Sequence, residues 1–323
     1  MILKKVGIMA YQEKKTIGYG TRVSNSAKGI GTGFILLLAG TVMLWWNEGR
    51  AVKTSKMLEE AQGVTVHVDD VSETDPSLNG KLIHATAFTA TKDSLIDAAF
   101  GIGAVAIKLE RRVEYYQWVE NAETETKDKI GGSQEQTTTY TYNKEWVGKP
   151  VKSAEFKDPA YQNSNFTVMN FEDKSYVADN VTFGAYRLPK NLINTISDEI
   201  PMELNFSQEQ LKQWNSDVRA VIEGMVMPRP DSLAQSSDIE YVHVNNNVLY
   251  FGKSPNNPQI GDVSVTFTKV LPGESTVIAQ VNGNRLQSFV AKSGKTFSVL
   301  TTGAVGLEEM YQNEHKSNST MTW

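Results

Sequence analysis

The residue types that do chemistry are present in this sequence, but their spacing serves it poorly. The acidic pairs Asp69-Asp70 and Glu308-Glu309 have the groups for acid and base work or for calcium, yet no further oxygen ligands stand at fixed spacing around them. Adjacent acids of that kind read as solvated surface. The four histidines, His67, His84, His243 and His315, include no pair spaced to put two imidazoles on one helical turn, so a metal centre has little to build on. Cysteine is absent, which removes disulfides, thiolate ligands and cysteine nucleophiles together. The stretch Gly101-Ile102-Gly103 and the one from Gly283 onward lack the lysine and the glycine spacing of a phosphate cradle. No Gly-x-Ser-x-Gly elbow is present, and Ser293-Gly294 reads as a hairpin turn. The expectation is a protein that is not an enzyme, with no catalytic, cofactor or metal residues.

The densest polar cluster is Lys108, Glu110, Arg111, Arg112, Glu114, Tyr115, Tyr116 and Trp118. On a strand, Lys108, Glu110, Arg112 and Glu114 share one face and can pair with a neighbouring strand. One reading is a salt-bridged outer sheet face, which these residues favour. The sharper one is an interaction surface made of Lys108, Glu110, Arg112, Glu114, Tyr115 and Trp118, with the aromatics as anchors. Asn-x-Ser/Thr triplets at Asn165, Asn180, Asn205 and Asn318 carry meaning only in a eukaryotic lumen.

The elements that must position these residues begin with an apolar run. Residues 30–46 contain no charge, a length of about 17 at the short end of what crosses a bilayer. Trp45, Trp46 and Arg50 follow at the place of a membrane interface, where a signal peptide would have small residues before its cleavage site. Lys4, Lys5, Lys14, Lys15, Arg22 and Lys28 precede the run against one acid, Glu13. That asymmetry predicts a cytoplasmic segment over 1–29, a transmembrane helix over 30–46, and the rest of the chain on the far side. A helical stalk is expected over 47–63, ending at Gly63.

Beyond the stalk, alternating and β-branched segments bounded by turn residues predict strands at 64–68, 82–88, 104–119 and 137–147. The polar stretch 121–136 reads as a long loop, tipped by Gly131-Gly132, of an antiparallel hairpin between the flanking strands. Spacing turns helical over 188–222, where Ser207 and Gln210 form a capping box, Phe206 and Leu211 a hydrophobic staple, and a helix runs over about 208–220. Strand patterns return after Pro228 and Pro230, with turns at Pro272-Gly273 and Asn282-Gly283. The expected architecture is α+β: a transmembrane helix, a first β-rich half (64–187), a helical insert (188–230) and a second β-rich half (231–323). The halves share an Ile-Gly-x-Val pattern at Ile102-Gly103-Ala104-Val105 and Ile260-Gly261-Asp262-Val263, which is compatible with duplication or with shared composition.

The charge balance of 32 Lys+Arg against 37 Asp+Glu, a net of -5, carries no dense basic track, which argues against nucleic acid as a partner. Membrane lipids and further copies of the chain are the expected partners.

Several segments carry a resemblance: Asn47-Glu48-Gly49-Arg50-Ala51-Val52-Lys53-Thr54 after the anchor, Ala106 through Glu120, Tyr140-Thr141-Tyr142-Asn143-Lys144-Glu145-Trp146, Phe156-Lys157-Asp158, Asn257 through Phe267, and Ser317 through Trp323. In these the chain resembles the transmembrane protein 43 (LUMA) family. The resemblance implies an N-terminal membrane helix, a large lumenal or extracytoplasmic domain, and further membrane helices after Trp323, so that the chain is expected to be a piece ending before them. In animals it implies the endoplasmic reticulum and inner nuclear membrane, self-association, and contacts with lamins and emerin. The short N-terminus and plain loops point instead to a bacterial member, an inner-membrane protein with its large domain periplasmic or extracellular, to which those partners do not transfer. Two functions follow as expectations: a self-associating scaffold that organises complexes or membrane regions, or a binding module for a lipid, glycan or peptide.

Overall fold

The computed structural model describes residues 11–196, 198–225 and 239–320, without the side chains of 22, 23, 25–31 and 225. Lys4, Lys5, Pro228, Pro230, Met321, Thr322, Trp323 and the side chains of Arg22, Lys28 and Ile30 therefore lie outside the described residues. The chain is β-rich, with four α-helices among the described residues: α1 (Tyr19–Val64), α2 (Lys190–Ile193), α3 (Gln208–Met225) and α4 (Leu307–Thr320).

Two compact units are present, and they interleave along the chain. One comprises Met1–Leu36, Arg112–Asp173 and Leu204–Thr266; the other comprises Leu37–Arg111, Lys174–Glu203 and Phe267–Trp323. The expected halves 64–187 and 231–323 each supply segments to both units. Sequence order misleads here because sheet neighbours in this fold are distant in the chain. The two Ile-Gly-x-Val stretches also differ in role. The first is the strand Ile102–Val105, paired with Ser94–Asp97; the second is a turn into the strand Val263–Val270, with Gly261 at φ +98°.

The first unit centres on a hairpin in which the strand Lys108–Asp128, from Arg112 onward, pairs with Gln134–Val147 in a register running from Tyr115↔Val147 to Asp128↔Gln134. The loop expected at 121–136 is thus mostly strand. Only five residues turn, with Gly131 and Gly132 at positive φ and Lys129 N–H donating to the Ser133 carbonyl at 2.8 Å. Thr124 and Thr138 hydroxyls bond across the ladder at 3.0 Å. An unexpected strand, Tyr11–Ile17, adds to the open edge of Gln134–Val147 from Tyr11↔Tyr140 to Ile17↔Gln134. Where a separate N-terminal segment was expected, residues 11–17 are hydrogen-bonded to residues that follow α1 in sequence. The core of this unit gathers aromatic rings: Trp214 of α3 meets Phe206 edge-on at 5.0 Å and Phe251 at 5.8 Å, and Phe171 meets Phe251 at 5.6 Å. Ser207 caps α3 as expected, its hydroxyl accepting from Gln210 N–H at 3.2 Å. Phe206 also meets the ring of Trp214 one turn further on, and α3 runs five residues past Ala220.

The second unit is built on Leu82–Thr91 paired antiparallel with Gly273–Asn282. These are central strands, so both faces are covered, and the period of two sorts the side chains. Ile83, Ala85, Val277, Ala279 and Val281 enter one core with Phe183, Tyr186 and Leu192. Leu82 and Ile278 point the other way, into a second core made by Met57, Leu58 and Ala61 of α1 and Met310 and Tyr311 of α4. The stalk expected at 47–63 and the apolar run before it are parts of one helix whose last turns are core. A buried ion pair, Arg111 Nη1 to Asp97 at 2.7 and 2.8 Å, is backed by the Phe100 ring 5.2 Å from the guanidinium.

Along α1 the large hydrophobics at 34–38 and 42–46 are all exposed. Among the described residues, no helix is long and apolar enough to cross a membrane.

Candidate functional site

The apolar stretch of α1 ends in two tryptophans and then turns basic within one helical turn. Trp46, Arg50 and Lys53 stand at i, i+4 and i+7, and Trp45, Gly49, Val52 and Lys56 at i, i+4, i+7 and i+11, so one broad helix face carries both rings and three cations. Trp45 is 78% exposed and Trp46 73%. The helix is fixed just beyond this point by Met57, Leu58 and Ala61, and by α4, where Asn318 Nδ2 donates to the Ala51 carbonyl at 3.2 Å and Tyr311 and Thr65 hydroxyls share a bond of 2.7 Å.

A fourth cation comes from far along the chain. The short hairpin Phe289–Val290 with Thr296–Phe297 turns through Ser293-Gly294 as expected, with Gly294 at φ +78°. Ala291 and Phe297 bury against α1, and Lys292 N–H donates to the Glu60 carboxylate at 3.2 Å. That docking carries Lys295 onto α1, where its ammonium donates to the Arg50 carbonyl at 3.1 Å and to Thr54 Oγ1. Burial first, and then the neighbouring charges of Arg50 and Lys53, lower the Lys295 pKa. Between the tryptophans and this hairpin lies a cavity of about 680 Å³ lined by Trp45, Trp46, Arg50, Lys53, Lys56 and Lys295. Trp45, Trp46 and Arg50, marked in the sequence as interfacial, are thus brought together. Lys295 carried no local signal, being 245 residues from the carbonyl it holds.

The cluster on the strand from Lys108 meets a different fate. Lys108 pairs with Glu110 and, at 3.3 Å, with Glu199, in side chains that are largely covered. Arg112 and Glu114 are exposed. Tyr115 is a correction to the expected surface: it lies on the opposite, inward face with Leu109 and Val113 at 1% exposure, and its hydroxyl donates to the Phe171 carbonyl. Trp118 is half-covered, edge-on to Tyr161 at 4.9 Å with Lys144 5.0 Å over its ring. Lys108, Tyr115 and Trp118 are thus engaged by neighbouring groups, while Arg112 and Glu114 face solvent.

Two histidines that looked isolated in sequence meet. His67 and His84 approach through Nδ1 atoms at 2.8 Å, and His84 Nε2 lies 2.9 Å from the Val305 carbonyl. The carbonyl can only accept, so His84 holds its proton on Nε2 and accepts from His67. Burial lowers the His84 pKa, and the His67 charge adds to this against the Val305 bond. No group of three or more metal-ligating side chains occurs among the described residues.

The fold and site together define a β-rich protein with an exposed apolar helix that ends in a tryptophan and lysine collar. The sequence profile described as Transmembrane protein 43 matches residues 115–323. Transmembrane protein 43 of Rattus norvegicus is 31% identical over 311 residues, 95% of this chain and 72% of its own length. The Homo sapiens protein is 30% identical over the same shares, and the Drosophila melanogaster homolog 28% over 90% and 70%. No solved structure matches. The chain belongs to the transmembrane protein 43 family.

Proposed function

We propose that this protein is a membrane-anchored scaffold, held by α1 and presenting its β-rich units on one side of the bilayer, where copies associate laterally. The observation that carries the proposal is the exposure of every large hydrophobic at 34–38 and 42–46 of α1. A helix apolar on all faces belongs in lipid. Relatives that bear the name transmembrane protein support the same reading. In the sequence the uncharged run extends back to Ile30, whose side chain lies outside the described residues; its length of about 17 is at the short end of what spans a bilayer, so flanking residues must snorkel.

Insertion has a structural consequence. A crossing α1 puts residues 1–18 on one side and residues 65–323 on the other, whereas Tyr11–Ile17 is paired with Gln134–Tyr140. The two arrangements exclude each other. In the inserted protein the N-terminal strand leaves, and the edge of Gln134–Val147 is bare. A bare strand edge is a template for pairing, and confinement to a plane raises the local concentration of identical edges. Insertion thereby favours self-association, with no catalytic step required.

Two measurements test this. Leu37→Asp, which places a charge within the apolar run at about 3 kcal/mol, moves the protein from the carbonate-resistant membrane pellet to the supernatant. Light scattering of the detergent-solubilised chain gives a defined multiple of the 35.8 kDa chain mass. A monomer under all conditions would refute the scaffold.

A further inference from the structure

The cavity at the collar of α1 has a composition that membrane insertion alone does not require. Four cations, Arg50, Lys53, Lys56 and Lys295, surround it against one lining carboxylate, Glu48. None of the four cations is in an ion pair among the described residues. The nearby Glu60 carboxylate is engaged by the Lys292 amide. Like charges gathered in this way repel one another, and Lys295 is held among them by its bonds to the Arg50 carbonyl and Thr54. Such an arrangement is stable when an anion completes it. Lysines and an arginine fit phosphate oxygens. The tryptophans stand on the apolar side of the cations, so an occupant has its acyl part against the rings and its anionic part against the ammonium groups.

We propose that this cavity binds the phosphate headgroup of an anionic membrane lipid, with Lys53, Lys56 and Lys295 on the phosphate and Trp45 and Trp46 along the acyl chains. The proposal rests on the reading that α1 sits in the membrane, and deepens it by assigning a lipid class to the collar. A ligand at this point also ties the short hairpin of Lys295 to α1 at the bilayer surface, which fixes the angle at which the second unit leaves the membrane.

The test uses the full chain in mixed micelles and reads quenching of tryptophan fluorescence by brominated lipids, brominated phosphatidylglycerol against brominated phosphatidylcholine. The anionic lipid is expected to quench at a much lower mole fraction. In the K53Q/K56Q variant, which alters two exposed side chains outside both cores, that preference falls by about fivefold per cation, about 25-fold for the pair, while quenching by the choline lipid persists. Equal quenching by the two lipids in the unaltered protein, or an unchanged preference in the variant, overturns the headgroup site. Protection by inorganic phosphate at concentrations that leave the micelle surface unscreened overturns the lipid assignment in favour of a soluble phosphate. Absence of quenching by either lipid refutes the membrane reading itself, which separates the two failures.

Discussion

A covalent lock between the N-terminal strand and its neighbour decides whether α1 crosses the membrane. Lys15 and Gln136 are register partners, and antiparallel partners stand about 4.5–5.5 Å apart at Cα, inside the roughly 4.4–6.8 Å range of a disulfide. The chain has no cysteine of its own, so K15C/Q136C introduces the one thiol pair present. On the insertion scale Phe34, Ile35, Leu36, Leu37, Leu38, Val42 and Leu44 contribute about 0.3–0.6 kcal/mol each, about 2–4 kcal/mol together. That corresponds to a preference of about 30- to 1,000-fold for the inserted state. Against it stands a strand with five of seven residues exposed, whose pair Lys14–Glu135 at 3.9 Å is open to solvent and adds little. Reduced K15C/Q136C therefore inserts and resists carbonate extraction as the unaltered protein does. Oxidised, residues 15 and 136 cannot lie on opposite sides of about 30 Å of hydrocarbon, and the protein is recovered in the supernatant as a monomer, its strand edge still capped. The assay is carbonate extraction with and without reductant, followed by light scattering. Equal resistance of the oxidised and reduced forms would show that α1 enters lipid without crossing, and the proposed coupling of insertion to assembly would fall.

Two further outcomes test the packing. Asp97→Ala leaves the Arg111 guanidinium buried without its carboxylate and costs about 3–5 kcal/mol in urea unfolding of the solubilised protein, whereas a D97A/R111M double variant recovers most of that loss. Because burial depresses the His84 pKa, the unfolded chain takes up the proton first on acidification. The contribution of His84 is then fully present above its unfolded value of about 6.5 and is lost as pH falls toward the folded value. The urea midpoint falls between about pH 7.5 and pH 5 in the unaltered protein and less steeply in His84→Asn; equal slopes would remove His84 as the cause.

What sequence reveals in this chain depends on whether a segment has one buried face. Val263–Val270 is legible because Val263, Val265 and Phe267 alternate into the core, and Ser207 announces α3 because a cap is a local device. The outer part of the long hairpin and the strand Tyr11–Ile17 are exposed on both faces, so no apolar period marks them, and polar strand reads as loop. Tyr115 was misassigned for a related reason: its aromatic type suggested an anchor, while counting by twos from the buried Leu109 would have placed it inward. The collar divides along the same line. Trp45, Trp46 and Arg50 follow an apolar run and are legible from it. Lys295 is positioned by the burial of Ala291 and Phe297 against Met57, Leu58 and Ala61, a relation between segments more than 200 residues apart that no local pattern records. The completed site therefore depends on the second unit's packing. A variant that loosens that packing, such as Phe297→Ala, should lower the anionic-lipid preference together with stability, whereas K53Q/K56Q lowers the preference alone. Comparing the two separates a site built by tertiary structure from one made by a basic helix acting by itself.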